Sequence, residues 1–168
     1  KNRTVMLWCR EPGWCSGFSS LLLGDAVTLV PVFCFDPRES KFFPEESSFN
    51  SWKRQLVADL KNLRKELRLK GSDLLITNGL TENMIPSFAR VLKVDEVITC
   101  KQSNHDFRVS ADYDSFQKDL ISATSFQLKM HSIHFTLTDE GVHFAPPLNN
   151  LPSFPGINPG SFQSAQII

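Results

Sequence analysis

Three cysteines stand at the ends of apolar runs: Cys9 closes residues 4–9, Cys34 lies near the end of residues 27–35, and Cys100 closes residues 96–100. Thiols gathered at such ends can form a redox pair or a soft-metal site, with Cys15 close in sequence to the first of them. Free cysteine is also among the most buried residue types, so packing as small apolar side chains is the stronger expectation. There is no CxxC pair, and His105, His131, His134 and His143 lack metal-ligand spacing, so no metal site is expected. A second group carries charge. Asp36-Pro37-Arg38 ends the run of residues 27–35; proline disfavours helix at the residue before it, so Asp36 turns the chain and Arg38 leaves at the carboxyl end. Arg10 opens a loop with Gly13 and Gly17, whose small size permits close backbone approach, for instance to a phosphate at a following helix start. That loop is neither GxGxxG nor a P-loop, and two glycines more often serve as turn residues. No GxSxG elbow supports a nucleophilic triad, so no catalytic residue is assigned.

These residues need a scaffold that brings strand ends together. Residues 4–9, TVMLWC, read as a short apolar strand. Residues 27–35, VTLVPVFCF, carry no charge, the pattern of a strand buried on both faces of a parallel sheet. One or two helical turns are expected over 18–23 and a long loop over 37–48. Ser48 or Asn50 caps a helix over 52–70, in which Leu56, Leu60, Leu63 and Leu67 share one face, and Gly71 ends it. A third strand over 73–77 leads to a helix over 82–92, capped by Thr81, with Ile85, Phe88, Ala89 and Leu92 on one side. Residues 96–100 form a fourth strand, 101–111 are polar and aperiodic, and 112–130 form a helix with Phe116, Leu120, Ala123 and Leu128 apolar. A fifth strand covers 133–137; Asp139-Glu140-Gly141 then turns into the apolar stretch 142–145. Strands alternating with helices predict a three-layer, Rossmann-like α/β domain with a parallel sheet over residues 1–145. A ligand is expected at the carboxyl ends of the strands, where the strand order reverses. Residues 146–168 hold Pro146, Pro147, Pro152, Pro155 and Pro159, too dense for regular structure, and read as an extended tail or connector.

Composition narrows the function classes. A chain of 168 residues is one domain by size. Eighteen basic and eighteen acidic residues cancel, which gives no electrostatic footprint for nucleic acid; none is expected to bind this chain alone. Lys61, Arg64, Lys65, Arg68 and Lys70 lie close together but are interrupted by Glu66, with Asp59 just before them, and read as a solvated helix face. Fourteen Phe stand against one Tyr, and Phe42, Phe43, Phe49, Phe144, Phe154 and Phe162 fall in expected loops or the tail, where apolar residues cover a partner or another part of a longer protein. Four cysteines make no disulfide scaffold, so a reduced intracellular compartment is the default. No apolar run is long enough to span a membrane, and no signal peptide is expected. The chain opens at Lys1, which reads as a processed or trimmed fragment and leaves an organellar, chloroplast location open.

Residues 32–38, VFCFDPR, resemble the second strand of the photolyase/cryptochrome family. Two further matches follow in order: Asn62 to Leu67 with Lys70 to Leu75, resembling a helix that runs into the third strand, and Asn78-Gly79 with Glu82, Ile85 and Pro86, resembling the turn into the next helix. Together they cover roughly residues 3 to 100 with the right spacing. The resemblance is to the family's amino-terminal α/β domain alone and implies the strand order 3-2-1-4-5. The helical domain that holds the catalytic flavin in that family has no counterpart in this sequence, so no catalytic FAD site is expected.

The resemblance departs at two loops. Trp8 and Arg10 match the family's first strand and first arginine, but Pro12-Gly13-Trp14 and Gly17-Phe18 stand where the family usually has a second arginine and acidic residues. After the fourth strand, Lys101 and Gln102 stand where relatives often carry glutamates that help hold a folate antenna. Gln102 hydrogen-bonds but has no charge, which argues against folate and leaves a flavin or deazaflavin antenna open. The implied cofactor-binding set is therefore Arg10, Gly13, Cys34, Asp36, Arg38, Lys101 and Gln102. Leu148-Asn149-Asn150-Leu151-Pro152 resembles the connector toward the flavin domain, so a protein partner or a missing second domain is implied. Three functions are in competition. The first is a non-catalytic binding or protein-interaction module. The second is a fragment of a blue-light-dependent photolyase or cryptochrome that binds an antenna chromophore. The third is a nucleotide-binding enzyme domain.

Overall fold

The computed structural model describes residues 3–10, 27–69, 73–100 and 111–138. Five strands form one parallel sheet: β1 (Arg3–Cys9), β2 (Val27–Phe35), β3 (Leu75–Asn78), β4 (Glu96–Cys100) and β5 (His134–Thr138), in the order β3-β2-β1-β4-β5. This is the expected order, with the reversal between β1 and β4. The helix α1 (Glu46–Leu69) covers one face of the sheet, and α2 (Thr81–Val91) with α3 (Ala111–Met130) covers the other. The layers arise from strand alternation. Val5, Leu7, Cys9, Leu29 and Phe33 pack under Leu56, Leu60, Leu63 and Leu67 of α1. Met6, Trp8, Val30 and Val32 pack under Ile85, Phe88 and Ala89 of α2 and Leu120 and Leu128 of α3. Pro31 is buried in a strand with neighbours on both sides, where its missing N–H is normally a defect. It faces Leu7 of β1, and β3 begins to pair only at Val32 opposite Leu75, so Pro31 precedes the β3 ladder.

Four local features differ from the sequence-based expectation. Residues 37–48 are not all loop: Pro37–Phe42 forms a 3₁₀ turn, and Asp36 caps it by accepting the Arg38 N–H. The helix α1 starts at Glu46 rather than at residue 52. The extra turns are held by aromatic packing, with the Phe43 ring 5.3 Å from Phe49 and 5.0 Å from Trp52. Thr81 does not cap α2 as the residue before it; it is the first helical residue, and the residue before it, Leu80, supplies no side-chain bond. On α3, Ala123 faces solvent, and the buried positions are Tyr113, Gln117, Leu120, Thr124 and Leu128. Those five recur at three- and four-residue steps, so the buried face includes two polar side chains that an apolar pattern skips. The expected helix over 18–23, the stretch 142–145 and the tail 146–168 lie outside the described residues.

Candidate functional site

Asp36 ties the carboxyl end of β2 to the start of α2. The residue is 7 % exposed. The carboxylate accepts from the Arg38 backbone N–H at 3.0 Å and from Arg38 Nε and Nη2 at 2.9 and 2.7 Å. It also accepts from the Thr81 N–H at 3.1 Å and the Thr81 hydroxyl at 2.8 Å, so it caps α2 from the end of a different strand. Arg38 Nη2 donates in addition to Glu82 at 2.6 Å, and its guanidinium lies 5.2 Å from the Phe116 ring centroid on α3. Burial pushes the Asp36 carboxyl up, but the hydrogen bonds from Arg38 and Thr81 outweigh it and hold the group at about 2. The same bond to Asp36, followed by the one to Glu82, raises Arg38 above its ordinary value against burial. Gly79 makes the approach of β3 to α2 feasible: its φ is +153°, and a Cβ there would meet Met84 at 2.9 Å.

Beside this tie lies a cavity of about 330 Å³ across the ends of β1, β2 and β3. Aromatic residues of both layers wall it: Trp8, Phe33 and Phe35 from the strands, Phe49 and Trp52 from α1. Phe33 and Phe35 meet edge to face at 4.9 Å. Polar groups at the cavity come from Arg10, Glu39, Ser40, Lys53, Asn78 and Gln117. Arg10 Nη1 donates to the Cys100 carbonyl at 2.9 Å, and its guanidinium lies 5.6 Å from the Trp8 ring centroid. It therefore bridges β1 and β4 at the point where the strand order reverses, and the cavity opens on the β2 side of that point.

Of the residues singled out from the sequence, Arg10, Cys34 and Asp36 line this cavity. Arg38 does not line it; it is engaged with Asp36 and Glu82. Gly13, Lys101 and Gln102 lie outside the described residues. The three cysteines are split by strand alternation: Cys9 and Cys100 pack on the α1 face, Cys34 on the opposite face. Burial pushes the Cys34 thiol up to about 12, with Thr81 pulling the other way and Asp36 and Glu82 adding to the rise. Burial therefore disfavours the thiolate, the form a nucleophile needs, at neutral pH. Sequence reasoning did not reach Phe49, Trp52 or Gln117 as cavity residues. A signal existed for the first two, since Phe49, Trp52 and Leu56 extend the α1 stripe backward at three- and four-residue steps.

The DNA photolyase family profile matches residues 23–146. The chain belongs to the photolyase family. It is 35% identical over 126 residues to a cryptochrome DASH of Natronomonas pharaonis, covering 69% of this chain and 26% of that protein. It is 30% identical over 86 residues to the blue-light photoreceptor PHR2 of Arabidopsis thaliana, covering 49% of this chain and 19% of that protein. The crystal structure of an archaeal photolyase from Sulfolobus tokodaii, described with two FAD molecules and a novel light-harvesting cofactor, superposes with a TM-score of 0.59. That match is 20% identical and covers 82% of this chain and 29% of the archaeal one. The photolyase-family chain described here thus spans 19–29% of the length of these relatives. What it shares with them is the α/β domain. Among its described residues no helix is long and apolar enough to cross a membrane.

Proposed function

We propose that this photolyase-family α/β domain is a non-catalytic binding module whose cavity holds a planar aromatic chromophore of the flavin or deazaflavin class. The observation that carries the reading is the aromatic-walled cavity of about 330 Å³ at the strand ends. Small-molecule sites are concave, mostly apolar and of roughly 300–1,000 Å³, with a few fixed polar groups. Here Trp8 and Trp52 line the space with aromatic surface, and Arg10 and Lys53 bring positive charge to it. Asn78 and Gln117 add neutral amides to the lining. When bound, such a group would collect light for chemistry carried out elsewhere in a larger protein, as the light-harvesting cofactor named for the Sulfolobus photolyase implies for that protein. The chain's own residues stack, orient and exclude water. Asp36, Arg38 and Thr81 brace the wall through bonds to one another rather than to the ligand. The test is titration of the purified chain with FMN, read by flavin and tryptophan fluorescence. Saturable mutual quenching, weakened about tenfold or more in Trp52→Ala, is expected, since stacking on one aromatic is worth ~1–3 kcal/mol. Absence of quenching and of any absorbance shift at millimolar FMN refutes the reading.

A second reading, a protein-contact module, is favoured by Phe126 and Met130. They lie one turn apart on α3 and are 61% and 63% exposed. If they form the contact, Phe126→Ser with Met130→Ser abolishes capture of the partner that wild-type chain retains, with the FMN titration unchanged. Unaltered capture refutes it.

A further inference from the structure

Arg54, Lys61 and Arg68 recur every seven residues along α1, and Ala58 and Lys65 stand four residues after the first two. Seven residues are nearly two turns, so these five lie in one row of about 21 Å. Two shallow depressions adjoin that row and share Lys61: one of about 580 Å³ beside Arg54, Val57 and Ala58, the other of about 420 Å³ beside Lys65 and Leu69. No acidic residue lines either of them. Asp73 pairs with Arg64 and Arg68, whereas Arg54, Lys61 and Lys65 are exposed and make no ion pair among the described residues. The charges of the whole chain sum to zero, so this row is a local positive field rather than part of a general excess.

What such a row fits is an elongated anionic partner. A nucleic-acid strand gains affinity from stacking platforms, and the row has no aromatic residue; its apolar members, Val57 and Ala58, offer nothing to a phosphate backbone. A membrane-surface helix needs its own apolar face at the acyl boundary, but Leu56, Leu60, Leu63 and Leu67 of α1 are buried in the core. A second helix satisfies both the charge and the apolar floor. Its acidic residues at four- and three-residue steps meet the cations, and small residues between them seat against Val57 and Ala58, ridge into groove. We propose that this flank of α1 docks an acidic amphipathic helix of a partner protein, lying alongside α1. The surface is separate from Phe126 and Met130 on α3, and the inference does not depend on what the cavity binds.

The probe is a fluorescein-labelled helical peptide of about 21 residues with its glutamates in a four-three repeat on one face. It is compared with a peptide of the same composition whose glutamates are spread around the helix, with a DNA duplex and with phosphatidylserine vesicles. Anisotropy of the intact chain is expected to show the one-faced peptide bound more tightly than the spread one by about threefold or more, and more weakly as salt rises. The triple variant Arg54→Gln, Lys61→Gln, Lys65→Gln should lose about tenfold, the combined worth of three exposed ion pairs. Its melting temperature and FMN titration should not change, because the three positions are exposed and none lines the cavity. Lys61→Gln alone, at the position both depressions share, replaces it if the triple variant does not fold, with a loss of about twofold or more. No binding of the one-faced peptide, equal binding of the two peptides, or an unaltered affinity in the variant overturns the proposal. A duplex or vesicles bound more tightly than the peptide assign the flank to phosphate and overturn it as well.

Discussion

One carboxylate, Asp36, holds both a 3₁₀ turn and the start of a helix, and its protonation should be felt by the whole domain. Its folded-state value is about 2 against an ordinary 3.8, so the unfolded chain takes up the proton first as pH falls. The stabilisation is present above about pH 4 and is lost as pH drops toward about 2, and a shift of this size corresponds to roughly 2 kcal/mol. Urea melts between pH 2 and 6 should show this slope in wild type and a flatter one in Asp36→Asn; equal slopes exclude the assignment. Cys34 gives a second residue-scale outcome. With its thiol at about 12, it should resist iodoacetamide at pH 8 in the folded chain and react once unfolded, as followed by mass spectrometry. The sequence made the turn at Asp36-Pro37-Arg38 legible because proline acts on its immediate neighbour. It did not make Thr81 legible as the partner, because that bond joins residues 45 apart. Gln117 was hidden for a related reason: the cavity it lines is built from three strands and a helix distant in sequence.

At the scale of elements, Leu60 and Leu63 are 0% and 3% exposed under α1, so Leu63→Ala should cost ~2–5 kcal/mol in denaturant melts. A cost under about 1 kcal/mol would mean that the helix face is wrongly assigned. On α3 the contrast is sharper: Ala123→Ser should change stability by less than ~0.5 kcal/mol, whereas Thr124→Val, which removes an unmet hydroxyl, should leave it equal or higher. The strands and the α1 stripe were readable because uninterrupted apolar runs and a leucine repeat each have one periodic solution. Helix starts were not. The first turns of α1 are fixed by Phe43 packing on Phe49 and Trp52, and α2 is capped from another strand. Charge on α1 was also only half legible. At roughly 100° per residue Lys61, Lys65 and Arg68 share one flank while Asp59 and Glu66 fall on the other, so the apparent interruption is a separation of signs. Arg64 and Arg68 are both paired with Asp73.

For the whole molecule, the chain by itself is expected to repair no DNA. Its photolyase-family match is confined to the α/β domain, and its charges sum to zero. Supplying flavin and light to the isolated chain should leave pyrimidine dimers intact, and any light-dependent repair would refute this. Residues 146–168 offer a further test, because Leu148, Leu151, Phe154, Ile157 and Phe162 are apolar in a stretch too rich in proline to make its own core. Deleting them should either lower the melting temperature, if they strap the domain, or abolish capture of a partner at unchanged stability. Retention of both properties would show that the segment does neither.

The borrowed cap on α2 also dictates an order of events in time. The helix is 11 residues long, below the length at which isolated helices hold in water, and its N-terminal N–H and hydroxyl contacts come from Asp36, the residue that follows β2. It cannot be fully satisfied until β2 and β3 have paired, which requires the intervening α1 segment to close its loop. Contacts at Thr81 should therefore form after the transition state. Thr81→Ala should speed unfolding more than it slows refolding, giving a φ-value near zero in stopped-flow kinetics, and a value near one would place α2 first.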